Sequence, residues 1–115
     1  MPNEFKTITV GSAPTASGTP DTIYTVQSGS TLVVQKLSLC NIHTSQIAAT
    51  VKKHSSTAHA GQTANTAAFI IKDVPIPSKS TLEIDKMNLN VGDYLTVDSD
   101  VNDSISVTFD YMEQT

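Results

Sequence analysis

A period-two alternation of apolar and polar residues near the end of the chain constrains its fold most strongly. In residues 104–112 (SISVTFDYM), the side chains of Ile105, Val107, Phe109 and Tyr111 alternate with polar ones. A strand directs successive side chains to opposite faces of a sheet, so this pattern places one face on a core and the other in water. The segment therefore predicts a strand of an antiparallel sheet.

Seven further segments have strand character, whereas helical periodicity is almost absent. Turn-forming residues separate these segments at the spacing typical of an all-β sandwich. The sequence therefore predicts an all-β, antiparallel, two-sheet β-sandwich in one domain, residues 1–115, with a short N-terminal arm, residues 1–5. About eight strands are expected, the others at residues 5–10, 22–26, 31–43, 47–53, 68–74, 81–84 and 94–99.

Three segments support finer predictions. In residues 31–43 the apolar phase changes between Val34 and Leu37, which predicts a β-bulge near Gln35–Lys36. Residues 68–74 (AFIIKDV) are apolar on both faces and are expected near the middle of a sheet, whereas the prolines of residues 75–80 (PIPSKS) exclude that stretch from a central strand. Residues 53–65 lack strand character and are predicted to form a presented loop that carries His54 and His59.

Charge and composition exclude several classes of function. The chain has seven lysines and no arginine, and its formal net charge is −4. It therefore lacks the basic face of a nucleic-acid-binding protein. No apolar stretch is long enough for a transmembrane helix, and the first residues lack the pattern of a secretory signal, which predicts synthesis in a cytoplasm. The single cysteine, Cys40, excludes an internal disulfide and is expected to be a small buried thiol.

The histidines and carboxylates do not follow a catalytic or metal-binding pattern. The spacing of His43, His54 and His59 does not match the short-spaced Cys/His pairs of structural zinc sites. The chain has neither the G-x-S-x-G motif of a hydrolase nor a glycine-rich phosphate loop. Residues 98–103 (DSDVND) leave a weak surface calcium site open but lack the glycine and glutamate of an EF-hand loop. We therefore expect a non-enzymatic protein with no catalytic residue, cofactor or metal.

The order of the segments resembles a family of small virion structural proteins of tailed bacteriophages, including those of marine cyanobacteria. The resemblance covers residues 23–113 and rests on TIYTVQSGSTLVVQKLSLCNIH, TAAFIIKDVPIPSKSTLEI, KMNLNVGDYLTVDSD and ISVTFDYMEQT. The chain departs from the family pattern at QSGS, where a proline is commoner, and in its longer histidine-containing loop. The resemblance implies a β-sandwich that forms oligomers and binds other virion proteins, and it transfers no catalytic residues.

The leading hypothesis from the sequence is a capsid decoration, or cement, protein with a jelly-roll-like β-sandwich. It would lie on the outer head surface and bridge subunits of the major capsid protein, without contacting nucleic acid or membrane. A homo-oligomer is expected, with a trimer favoured. One alternative is a tail, neck or baseplate component, and another is a carbohydrate-binding module, although the latter would need exposed aromatic residues. Termini and long loops often carry binding surfaces, so the candidate contact residues are Met1, Pro2, Asn3, Glu4, Phe5, Pro14, His54 and His59.

Overall fold

The computed structural model of the protein describes residues 3–55 and 66–114, and these residues form strands and turns without a helix. Consequently no helix in the described residues could cross a membrane. The eight strands are β1 (Asn3–Ala13), β2 (Asp21–Thr25), β3 (Thr31–Asn41), β4 (Ile47–Ser55), β5 (Thr66–Ile76), β6 (Thr81–Leu89), β7 (Tyr94–Ser99) and β8 (Ile105–Gln114).

The strands form two four-stranded antiparallel sheets. One sheet, called sheet A below, has the order β1-β8-β3-β6, and the other, sheet B, has the order β2-β7-β4-β5. All six strand pairings are antiparallel. Two facing sheets of eight strands with this order form a double-sheet jelly roll. The prediction of an all-β, two-sheet, jelly-roll-like sandwich is therefore confirmed.

The core lies between the sheets and is built from the inward faces of the central strands. The alternation predicted for β8 is confirmed, because Ile105, Val107 and Phe109 are fully buried and Tyr111 is 4% exposed. Strand β8 lies between β1 and β3, so both its edges are hydrogen bonded. The core also includes Leu32, Val34, Leu37 and Leu39 of β3, Ile47, Ala49 and Val51 of β4, and Leu95 and Val97 of β7.

The β-bulge predicted in β3 is present. Val34 lies opposite Tyr111 and Lys36 lies opposite Asp110, so Gln35 is an extra residue relative to β8. A side chain in a regular strand changes face at every residue, and one extra residue shifts that phase by one. Leu32 and Val34 can therefore share the buried face with Leu37 and Leu39.

Several local predictions from the sequence are wrong. Strand β5 lies at the edge of sheet B rather than in its middle. It includes Pro75, which an edge strand tolerates because one side needs no donor. Asn3, Glu4 and Phe5 do not form a free arm, since they pair with Gln114, Glu113 and Met112 as part of β1. Cys40 is only partly buried, because its position in β3 faces outward beside Ser106.

Candidate interaction surfaces

The outer face of sheet B brings an imidazole and a phenol ring together. His54 of β4 pairs directly with Tyr94 of β7. Their ring centroids lie 4.4 Å apart with an interplanar angle of 2°. His54 Nε2 is 3.2 Å from Oγ1 of Thr96, which is within hydrogen-bonding distance. His54 is therefore a strand residue with a fixed ring, and its predicted position in a loop is wrong.

The electrostatic setting of His54 favours its neutral form. Burial lowers the pKa of the imidazole below its ordinary value, and the neighbouring ammonium group of Lys52 lowers that pKa further. Both effects penalise the charged form, the first by removing water and the second by repulsion between like charges. Both effects therefore favour the uncharged imidazole in the ring stacked on Tyr94.

An exposed phenylalanine lies next to this stacked pair. Phe69 of β5 is opposite Lys52 of β4, and its side chain is 51% exposed. The ammonium nitrogens of Lys52 and Lys72 lie 4.8 Å and 5.0 Å from the centroid of its ring. Such distances allow cation–π attraction, which holds both charges over the aromatic face. We call Lys52, His54, Phe69, Lys72 and Tyr94 together the lysine–aromatic face.

The outer face of sheet A exposes a row of apolar side chains. Phe5 of β1 pairs with Met112 of β8, which pairs on its other side with Val33 of β3. Phe5 is 71% exposed and Val33 is 39% exposed, which makes Phe5 the most exposed large apolar residue of the described chain. A shallow groove of about 290 Å³ lies beside Phe5 and is bordered by Lys6, Thr7, Gln35 and Asp110. We call Phe5, Met112 and Val33 the apolar row.

A nearly buried carboxylate connects the two sheets at one end of the sandwich. Glu113 of β8 accepts a hydrogen bond from Lys6 Nζ at 2.9 Å and another from the Tyr24 hydroxyl at 3.2 Å. Its side chain is 9% exposed. The hydrogen bond from Lys6 is the main reason that the pKa of Glu113 lies below its ordinary value. Burial is the main cause that raises the pKa of Tyr24 to about 12.

The stability of the fold should depend on the ionisation of Glu113. A carboxyl whose pKa is lowered on folding stabilises the folded state above its unfolded pKa, about 4.3, and this contribution is lost as the pH falls through the folded pKa. We expect the Glu113→Gln variant to lose less free energy of unfolding than the wild type between neutral and acidic pH. Urea titrations at several pH values measure how the free energy of unfolding of each protein changes with pH.

A matched control for this prediction is Glu83→Gln. Glu83 also forms an ion pair, at 2.7 Å from Lys36, but both side chains are about half exposed. Ion pairs in solvent contribute little to stability, so Glu83→Gln should retain the acid dependence of the wild type. Equal acid dependence in the wild type and Glu113→Gln would contradict the proposed role of Glu113.

The aspartates considered as calcium ligands accept hydrogen bonds from neighbouring backbone and side-chain groups. Asp98 Oδ1 accepts from the N–H groups of Gly18 and Ser99, and Asp100 Oδ1 accepts from the N–H of Ala48. Asp103 Oδ1 lies 3.5 Å from the hydroxyl of Ser12. Over residues 3–55 and 66–114, no group of three or more histidine, cysteine, aspartate or glutamate side chains is arranged to hold a metal ion.

The loop of residues 13–21 is held against the β7–β8 turn. The carbonyl of Pro14 accepts a hydrogen bond from the N–H of Asp103, and Pro14 itself is buried. Ser17 reinforces this contact, since its N–H donates to Asn102 Oδ1 and its hydroxyl donates to the carbonyl of Ser99. Pro14 is consequently not an accessible contact residue of the loop.

The other predicted contact residues are dispersed over the two sheets. Asn3, Glu4 and Phe5 lie on sheet A, and His54 lies on sheet B. Met1, Pro2 and His59 lie outside the described residues. His43 follows β3, where its N–H donates to Asn41 Oδ1 and its carbonyl accepts from the Ser78 hydroxyl. Sequence reasoning missed Phe69, Lys72, Tyr94, Val33 and Met112, whose proximity depends on the strand pairing.

The two candidate surfaces expose different kinds of side chain. Both candidate surfaces are outer faces of rigid sheets, and the groove beside Phe5 is shallow. The lysine–aromatic face combines positive charge with exposed ring surface, whereas the apolar row offers area that water solvates poorly. No protein-family model, curated protein or solved structure matches this chain.

Proposed function

We propose that the protein is a non-enzymatic structural protein of a tailed-phage virion, a capsid decoration protein that binds the outer head surface and bridges neighbouring capsid subunits. The resemblance of residues 23–113 to small virion proteins motivates this role. The jelly roll is compatible with it, because viral capsid proteins commonly use this architecture. The lysine–aromatic face is the observation that best supports a docking function.

This face has three properties that suit docking on an acidic protein surface. Phe69 offers a half-exposed ring, and Lys52 and Lys72 place positive charge beside it. The sheet fixes the spacing of these groups before binding, which lowers the entropic cost of association. The remainder of the chain is acidic enough to give a net charge of −4, so the local positive charge also orients the protein during encounter. Many copies on one head would strengthen attachment through avidity.

Removing the two lysines should weaken binding to the head. We expect Lys52→Ala/Lys72→Ala to bind undecorated heads of its own virus at least about tenfold more weakly than the wild type, equivalent to about 1.4 kcal/mol. Co-sedimentation of purified protein with those heads gives the affinity. The matched control is Lys36→Ala/Lys86→Ala, which removes the same charge from sheet A. An equal loss in both double variants would reject docking through the lysine–aromatic face.

Two other functions make different predictions. A tail, neck or baseplate component would be present in few copies and would not bind undecorated heads, and quantitative mass spectrometry of purified virions would reveal this. A carbohydrate-binding module would use the rings of Phe69 and Tyr94, because Tyr24 and Tyr111 pack with Phe109 between the sheets. Specific binding on a glycan array, with no binding to heads, would favour that function.

A further inference from the structure

The four edge strands of the sandwich differ in how they discourage pairing with another strand. Strand β2 has only five residues, with a register shift between Thr22 and Tyr24. Strand β5 contains Pro75 and has two register shifts relative to β4. Strand β6 contains Lys86 with a φ angle of 47°, which interrupts its extended backbone. Short length, proline, bulges and lysine are the usual means of protecting an exposed edge.

Strand β1 is protected less than the other edges, because its residues 3–10 carry only Lys6 among these features and its register shift lies at the far end, between Val10 and Ala13. It runs over Asn3–Ala13, and its residues 3–10 pair one for one with β8 without a register shift. Residues 3–10 contain no proline. Because β1 terminates sheet A, every second backbone N–H and C=O group of this regular stretch points away from the sheet. This edge can accept another strand, and a pair centred on Phe5 would join residues 3–7 of one copy to residues 7–3 of the other.

The side chains of β1 complement themselves in one antiparallel register. If Phe5 lies opposite the partner's Phe5, Glu4 lies opposite the partner's Lys6, and Lys6 lies opposite the partner's Glu4. Centring the pair on Glu4 or on Lys6 would instead place like charges opposite each other, which is unfavourable. Within one copy Lys6 already contacts two carboxylates, Glu113 at 2.9 Å and Glu4 at 3.6 Å, and its side chain is still 40% exposed, so it can also reach the partner's Glu4.

The same register also extends the apolar row from one copy of the chain into the other. Phe5, Met112 and Val33 lie side by side across β1, β8 and β3. A two-fold axis at Phe5 would bring the partner's Phe5 next to this row on the same face of the sheet. The most exposed large apolar side chain of the described chain would then be partly covered by an identical ring.

We propose that a second copy of this chain pairs antiparallel with β1 about a two-fold axis at Phe5, joining two copies of sheet A into one eight-stranded sheet. The contact is isologous, which is the commonest symmetry of soluble oligomers. It replaces the trimer favoured from the sequence with a dimer. It does not depend on the proposed virion role, because it can be measured on the purified protein without capsids.

The first test is the solution mass of the purified protein by light scattering over a range of concentrations. We expect a dimer for the wild type and a dissociation constant raised at least about tenfold in Phe5→Lys and in Glu4→Lys, because each places like charges in the register. The matched control is Phe69→Lys, which makes the same change at the edge of sheet B and should remain dimeric. A wild-type monomer, a trimer, or a dimer unaffected by both β1 substitutions would overturn the proposal.

A cross-linking experiment tests the register itself. Directly opposed residues of an antiparallel pair have Cα atoms about 4.5–5.5 Å apart, which a disulfide can span. In a Cys40→Ala background, Phe5→Cys should therefore form a disulfide-linked dimer with oxidised glutathione. Thr9→Cys in the same background should stay monomeric on a non-reducing gel, because the proposed register separates its two copies along the strand. The opposite pattern would overturn the register.

Discussion

Replacing Phe109 with alanine is expected to lower the free energy of unfolding by about 3–5 kcal/mol. Phe109 is fully buried on β8, the strand bonded on both sides within sheet A. Its ring stacks with Tyr111 at 5.1 Å and contacts Tyr24 of sheet B at 6.4 Å between centroids. The substitution removes this contact between the sheets and leaves a cavity that rigid strands cannot fill.

The matched control is Phe69→Ala, which deletes the same atoms from an exposed site. Phe69 is 51% exposed and packs mainly beneath two lysine side chains, so its loss should cost no more than about 1 kcal/mol. Urea titration of each variant measures the difference, with the slope of the transition as a check that the unfolded reference is unchanged. A similar cost at both positions would show that Phe109 does not occupy the centre of the core.

The features of the fold that sequence could predict are those encoded within one strand. The alternation of Ile105, Val107 and Phe109 determines which face of β8 is buried, because side chains alternate along any extended chain. The change of phase between Val34 and Leu37 likewise requires an extra residue, and Gln35 is that residue. Neither inference needs knowledge of the neighbouring strands.

Features of the fold that depend on neighbouring strands could not be predicted from the pattern within one segment. The apolar run in β5 is compatible with a central strand, yet Ile70 and Ile71 lie half-buried at an edge. The run of polar residues after Lys52 suggested a loop, although His54 remains in β4 because Tyr94 pairs with it. Local composition does not determine which strand lies alongside, since register and topology are set by the whole sandwich.

The residues of the two candidate surfaces likewise come together only through the pairing of neighbouring strands. Lys52 and Phe69 belong to different strands and meet only through the β4–β5 register, which contains two shifts. The apolar row likewise requires β1, β8 and β3 to be neighbours, although β1 and β8 are far apart in the chain. Sequence reasoning identified Phe5 and His54 as candidate contacts but could not supply the residues that surround them.

The largest expected effect of removing a polar group is at Asn41. Its side chain is fully buried at the end of β3 and connects three segments of the chain. Nδ2 donates to the carbonyls of Ser45 at 3.0 Å and Ile76 at 2.8 Å, and Oδ1 accepts from the N–H of His43 at 2.8 Å. One amide therefore joins the end of β3 to the β3–β4 connection and to the end of β5.

Asn41→Ala should lower the free energy of unfolding by about 2–4 kcal/mol, because the buried Ile76 carbonyl loses its side-chain donor and a cavity is left. Asn41→Asp distinguishes the loss of the donated hydrogen bonds from the loss of packing. It preserves the volume of the side chain and the acceptor for the N–H of His43. It also directs a carboxylate towards the two carbonyl oxygens that Nδ2 now contacts. We expect Asn41→Asp to be the more damaging change at neutral pH and to recover part of its stability in acid, where a protonated carboxyl can donate.

Asn88→Ala, at an exposed site on β6, should change the free energy of unfolding by no more than about 0.5 kcal/mol and serves as the control. If thermal unfolding showed Asn41→Asp to be as stable as the wild type at neutral pH, donation from Nδ2 would not hold this end of the sandwich together.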